Sequence, residues 1–157
     1  MSISIDIANA SEAKELTTIA LESKQYWGYS SDFIEMCRDE LTLKEADFVN
    51  SLILVAKNNE KYCGFVQLKF NDNAGQGELE KLFVAPSFIG QGIGKTLYER
   101  AVEHARKMNV KELVLDADPN AENFYKKMGA ITMYNTPSES IPGRFIPKMK
   151  ITLFTPI

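Results

Sequence analysis

A chain of 157 residues, 45% hydrophobic and 25% charged, has the size and make-up of one ordinary globular domain, expected over 1–157; it suggests neither disorder nor a fibrous repeat and needs no second domain. A formal charge of −3 leaves no surplus of Lys and Arg for a nucleic-acid footprint, so any anionic ligand has to be held by local geometry. Met1 to Ala8 lacks the pattern of a signal peptide, and no apolar run approaches the roughly 20 residues of a membrane span. Cys37 and Cys63 sit far apart in apolar-patterned segments, as buried reduced thiols do, so a cytoplasmic protein without membrane contact is expected.

Ile3 to Ile7 alternates and reads as a short strand, and Asn9 to Leu21 reads as a helix whose Asn9 and Glu12 are spaced as a capping box. A second helix opens at Asp32, with Glu35 three residues on, and carries Phe33, Met36, Cys37 and Leu41 on one face. Between the two lies an aromatic loop, Ser23 to Tyr29. Leu52 to Ala56 is a continuous apolar run, as in a strand covered on both faces, and Asn58-Asn59 turns the chain. Tyr62 to Phe70 and Glu78 to Val84 complete an antiparallel meander through the turn-rich segment Asn71 to Gly77.

The period then becomes helical. Ile93, Leu97, Ala101, Ala105 and Met108 form an apolar stripe, with Lys95, Glu99, Glu103 and Lys107 on the exposed side and His104 beside the stripe as a structural residue. Glu112 to Asp116 is a short strand. Asp118-Pro119 then caps a helix that ends at Gly129 and buries Ala121, Phe124 and Met128. Strands near Ile131 to Tyr134 and Phe145 to Leu153 flank the loop Pro137 to Arg144, giving a mixed sheet with helices on both faces.

Leu82 to Thr96 carries the chemistry: a strand ends, the chain turns through Gly90, Gly92 and Gly94, and the clearest helix begins. The first helical N–H groups have no intrahelical partner, the dipole favours negative charge there, and glycine admits a close backbone approach, so such a junction is an anion site. A glycine-rich turn without a ligand has the same spacing. A nucleotide-triphosphate P-loop would need glycine where Ile89 stands, and the dinucleotide fingerprint G-x-G-x-x-G is not met by G-x-G-x-G after a meander.

The segment resembles instead the acetyl-CoA pyrophosphate loop of the GNAT N-acetyltransferase superfamily, V-x-P-x-x-[QR]-G-x-G-[IV]-[GA]. Val84, Pro86, Gly90, Gly92, Ile93 and Gly94 match, and Ile89 replaces the usual Gln or Arg. Asn120-Ala-Glu-Asn-Phe-Tyr-Lys-Lys-Met-Gly129 is similar to the family's N/A-x-x-F-Y-x-x-x-G helix, with Ala130 in place of its following aromatic. The segments Ser23 to Tyr29 and Ser140 to Arg144 look like a bacterial subgroup of that superfamily. The resemblance implies the GNAT fold, an α/β arrangement of about six to seven mostly antiparallel strands flanked by about four helices. It further implies acetyl-CoA as co-substrate, a small-molecule or peptide amine as acceptor, and room for a homodimer; with one His and two Cys no metal site can be assembled.

By the same resemblance Ile89, Gly90, Gln91, Gly92, Ile93, Gly94, Lys95 and Thr96 would face the diphosphate, Lys95 offsetting the lost side chain at Ile89. Leu82, Phe83 and Val84 would present backbone groups to the thioester and pantetheine, with Asn120 and Phe124 along the same arm. Tyr125 would protonate the departing thiolate, although helical periodicity alone equally suits a core tyrosine. Glu78 and Glu80 share a strand face by period two, and either can accept the amine proton through water; both also suit a solvated strand face. Tyr26, Trp27 and Tyr29 would border the amine, a lone Trp being equally ordinary packing, and Arg144 would hold an acceptor carboxylate or else point to solvent. Ile89 and Ala130 also suit a CoA-binding sensor without catalysis, and the fold alone suits a protein-interaction module.

Overall fold

The structure, a computed structural model, describes residues 2–71 and 75–153. Seven strands form one sheet in the order β1-β2-β3-β4-β5-β7-β6, antiparallel throughout except where β4 meets β5. They are β1 Ile3–Ile7, β2 Leu52–Asn58, β3 Lys61–Phe70, β4 Gln76–Val84, β5 Glu112–Asp116, β6 Ile131–Pro137 and β7 Phe145–Thr152. The helices are α1 Ala13–Tyr26, α2 Ser31–Leu41, α3 Glu45–Asn50, α4 Ile93–Lys107 and α5 Glu122–Lys127, one more than expected. The tip of the turn expected between Asn71 and Gly77, residues 72–74, lies outside the described residues. No helix among the described residues is long and apolar enough to cross a membrane.

The sheet divides two cores. Leu54, Ala56, Val66 and Leu68 pack with Leu97, Ala101 and Ala105 of α4, while Ile53, Val55 and Phe65 pack with Leu16, Ile19 and Ala20 of α1 and with Cys37 and Leu41 of α2. Residues 53 to 56 thus bury alternate side chains on opposite faces, which is why their run shows no alternation. Each fully buried Leu or Ile is worth about 1.5–3 kcal/mol relative to exposure. Gly64 lets α4 close on the sheet, because a Cβ there would stand 2.6 Å from the Phe83 carbonyl and 3.2 Å from Leu97 Cδ1.

Several boundaries differ from the sequence reading. The Asn9–Glu12 capping box forms, but α1 runs on to Tyr26, so only Trp27 to Ser30 link the first two helices. The cap of α2 is Ser30, whose hydroxyl accepts from the Phe33 N–H at 3.1 Å, rather than Asp32, and Ile34 is buried where Met36 is half exposed. Helix α3 went unread because six residues with no buried member carry no stripe. Met108 lies just past α4 and is exposed, and in α5 the buried residue is Tyr125, with Ala121, Phe124 and Met128 only partly covered.

Candidate active site

Strands β4 and β5 pair only over Gln76↔Glu112, Gly77↔Leu113 and Glu78↔Val114, then part. The edge of β4 from Leu79 to Val84 therefore has no strand beside it among the described residues, and a cleft of about 790 Å³ opens there. A bulge sets its lining. Leu68 pairs with Leu79 and Gln67 with Lys81, so Glu80 is an extra residue, and Leu79 and Leu82 both pack toward α4 despite their odd spacing.

At one end of the cleft, α4 begins behind Gly92, whose φ of +80° and neighbour Gly90 at +84° fall where L side chains are strained. The N–H groups of Gly90 to Lys95 donate to no acceptor among the described residues; the first helical bond runs from the Thr96 N–H to the Gly92 carbonyl at 3.1 Å. The Thr96 hydroxyl donates to the same carbonyl at 3.0 Å, so its proton and the Thr96 N–H are both engaged within the helix start. The Ile89 N–H donates to the Pro86 carbonyl at 3.4 Å, which turns it away from the orphan amides, while the Ile89 side chain lines the cleft. Gly94 faces Phe124, and a Cβ there would reach ordinary contact at 3.5 Å with that ring and with Val84. Gln91 and Lys95 are exposed beside the turn. This row of orphan donors at a helix start, opening on a long cleft, fits the diphosphate and extended arm of coenzyme A.

Farther along the cleft the Ser23 hydroxyl donates to the Val84 carbonyl at 2.5 Å, tying α1 to the free edge that also carries Leu82 and Phe83. Tyr125 reaches the cleft from the opposite wall. Its hydroxyl has no partner among the described residues, and none of their buried side-chain oxygens is left unpaired, so the hydroxyl opens on the cleft. Burial, with Tyr98 nearby, pushes its pKa well above the ordinary tyrosine value, which keeps the proton in place at neutral pH.

Glu78 and Glu80 stand deeper in the cleft. A hydrogen bond shared with Glu80, then burial and the neighbouring charge, push the Glu78 carboxyl above the usual range, against the pull of Lys148 and Lys69. Glu80 also pairs with Lys69 at 3.5 Å. The two carboxylates share one strand face by simple alternation, with Leu79 buried on the opposite face between them. Below them Gln67, fully buried, donates to Ser51 Oγ at 2.9 Å and accepts from Lys81 Nζ at 3.4 Å.

Another part of the cleft, expected from the sequence to face the acceptor, gathers residues remote in sequence. Tyr29 donates to Asp118 at 3.0 Å and accepts from Asn120 Nδ2 at 3.0 Å and Arg144 Nη2 at 2.9 Å. Lys24 Nζ lies 2.6 Å and Arg144 Nη2 3.7 Å from the same carboxylate. Burial and the Asp118 charge raise the Tyr29 pKa to about 12. Burial also pushes Asp118 up, but Lys24, the Asn120 N–H and the Tyr29 hydroxyl outweigh it and hold the carboxyl below its usual value. Trp27 borders the cleft half exposed, its ring edge-on to Tyr26, while Tyr26 lies outside the lining.

Sequence reasoning took Asp118 for a helix cap only and passed over Lys24, Gln67 and Lys81. Asp118 does cap, accepting from the Asn120 N–H at 2.8 Å, but its other contacts come from chain positions about 25 and 90 residues away, as the spacings of Arg144 and Lys24 show. No local signal encodes those meetings.

A scan of family profiles matches the acetyltransferase (GNAT) family over residues 16–130, and the chain belongs to that family. Among curated proteins it is 29% identical over 92 residues to the uncharacterized N-acetyltransferase ycf52 of Pyropia yezoensis, covering 59% of this chain and 52% of that one. It is 38% identical over 64 residues to an uncharacterized N-acetyltransferase of Archaeoglobus fulgidus, covering 38% and 44%. The chain thus spans about half the length of the curated relatives it matches. Among solved structures, the PaiA N-acetyltransferase of Thermoplasma acidophilum in complex with coenzyme A aligns with a TM-score of 0.81 and 25% identity over 97% of this chain and 99% of that one.

Proposed function

We propose that the protein transfers the acetyl group of acetyl-CoA directly to a primary amine of a small molecule or peptide. The observation that carries this reading is one cleft with orphan backbone donors at its mouth, a protonated tyrosine on one wall and a carboxylate of raised pKa on the other. Acetyl-CoA, when bound, supplies a thioester carbonyl that a neutral amine attacks. The amides of residues 90–95 hold the diphosphate, and the free edge of β4 aligns the arm. Glu78, helped by Glu80, takes the amine proton directly or through water as the C–N bond forms. Tyr125 gives its proton to the sulfur as the C–S bond breaks, so charge balances across the exchange. Eight carboxylates line the cleft against six Lys and Arg side chains, which favours a cationic amine over an anionic acceptor.

A thiol-release assay with acetyl-CoA and a broad amine panel tests the proposal. At least one amine is expected to turn over, and Tyr125→Phe is expected to fold normally yet lose roughly tenfold to a thousandfold in kcat. Full turnover by that variant would remove Tyr125 from the mechanism. A second reading, a CoA-binding sensor without transfer, draws on Ile89, whose side chain offers no donor and whose N–H is turned to Pro86. It predicts a rise in Tm with CoA and no thiol release with any amine.

A further inference from the structure

We propose that Asp118 is a positioning residue whose carboxylate latches the Trp27–Tyr29 link and the Arg144 turn onto the segment bearing Asn120, and so gives the acceptor end of the cleft its shape. Three stretches of chain converge on this one side chain. Lys24, from the last turn of α1, lies 2.6 Å away; Tyr29, from the link to α2, donates to both oxygens at 3.0 Å; Arg144, from the loop between β6 and β7, stands at 3.7 Å. Side-chain exposures of 13% for Lys24 and Asp118 and 20% for Arg144 mean that the charges meet with little water between them. The Tyr29 ring is stacked on Phe33 with centroids 4.1 Å apart and planes 8° from parallel, and the Arg144 guanidinium lies 5.0 Å from the Phe33 centroid.

These segments have few other anchors. Trp27 is half exposed, Gly28 has a φ of +89° with nothing within 4 Å of the Cβ position, and the loop ending at Arg144 is otherwise held by the partly buried Ile141 packing on the α1–α2 core, by the Ser140 hydroxyl donating to Glu40 and by its own turn bonds. Asp118 also accepts the Asn120 N–H at 2.8 Å, which ties the same carboxylate to the turn leading into α5 and Tyr125. Loss of its charge would leave Lys24 and Arg144 without a counter-ion and free both segments, whereas the amides of residues 90–95 share no contact with it. The acceptor half of the cleft should loosen while the phosphate half does not.

The role in acceptor binding rests on the acetyltransfer reading; the latch itself does not. The test compares Asp118→Asn, which keeps a cap oxygen but removes the charge, with Tyr29→Phe, which keeps the stacked ring but removes the shared hydroxyl. Hydrogen exchange of the whole protein should show protection at residues 25–30 and 141–145 falling by tenfold or more in each variant, with residues 97–107 unchanged, and single-Trp fluorescence of Trp27 should shift. CoA affinity should stay within about twofold, and kcat/KM for the amine should fall tenfold or more, chiefly through KM. Should Asp118→Asn fail to fold, Tyr29→Phe carries the test. Unchanged exchange at both segments in the folded variants overturns the latch. If exchange rises but the wild-type protein acetylates no amine, the latch stands and the acetyltransfer reading fails.

Discussion

Glu78 and Glu80 show how one residue sets another's chemistry. The Glu78 pKa is raised by its hydrogen bond with Glu80, then by burial and by the neighbouring charge, so replacing the Glu80 carboxyl removes two of these causes and lowers the Glu78 pKa. A base must be deprotonated to act; the acidic limb of the kcat–pH profile should therefore move to lower pH in Glu80→Gln and vanish in Glu78→Gln with a tenfold or greater loss of rate. A limb that stays in place in Glu80→Gln would mean that Glu78 is not the titrating base. Both glutamates and their shared face were visible in the sequence, because period two holds from Glu78 through Leu79 to Glu80. The bulge at Glu80 that changes the lining beyond them is a pairing event between β3 and β4, which a single strand's sequence does not record.

At the scale of elements, the start of α4 is the anion site of the proposed function, and its glycines are legible in the sequence. The glycines at 90 and 92 are required by φ of +84° and +80°, and a Cβ at either position meets only open space. Gly92→Ala should thus lose roughly 1–2 kcal/mol from backbone strain alone, with no clash inside the protein. The added methyl would stand beside the orphan amides, so CoA affinity should drop tenfold or more by calorimetry while the fold survives. Unaltered affinity would separate this turn from the diphosphate. Helix α3 and the extra turn of α1 escaped the sequence because short or polar helices lack an apolar stripe; they are held by tertiary contacts such as Gln67 Nε2 to Asp47 Oδ1 at 3.5 Å and the Ser23 hydroxyl to the Val84 carbonyl at 2.5 Å.

Across the whole molecule, two carboxylates couple folding to acid. Burial pushes Glu12 up, but Lys57 at 2.9 Å, the Asn9 N–H and Tyr62 hold it below its usual value, as Lys24 and its neighbours do for Asp118. A carboxyl whose folded pKa is depressed adds stability that is present above its unfolded pKa and lost as pH falls through the folded one. Urea midpoints should therefore decline below about pH 5, and the decline should be shallower in Asp118→Asn. An identical slope would show that Asp118 is not depressed in the folded state. The family, the order of the strands' sequence segments and the phosphate turn are all written locally, because hydrophobic period, caps and glycines at special φ act within a few residues. The parting of β4 from β5, the bulge at Glu80 and the Asp118 latch are set by which distant segments meet. Such meetings depend on how two cores close on one sheet, as at Gly64, and no stretch of chain carries that information alone.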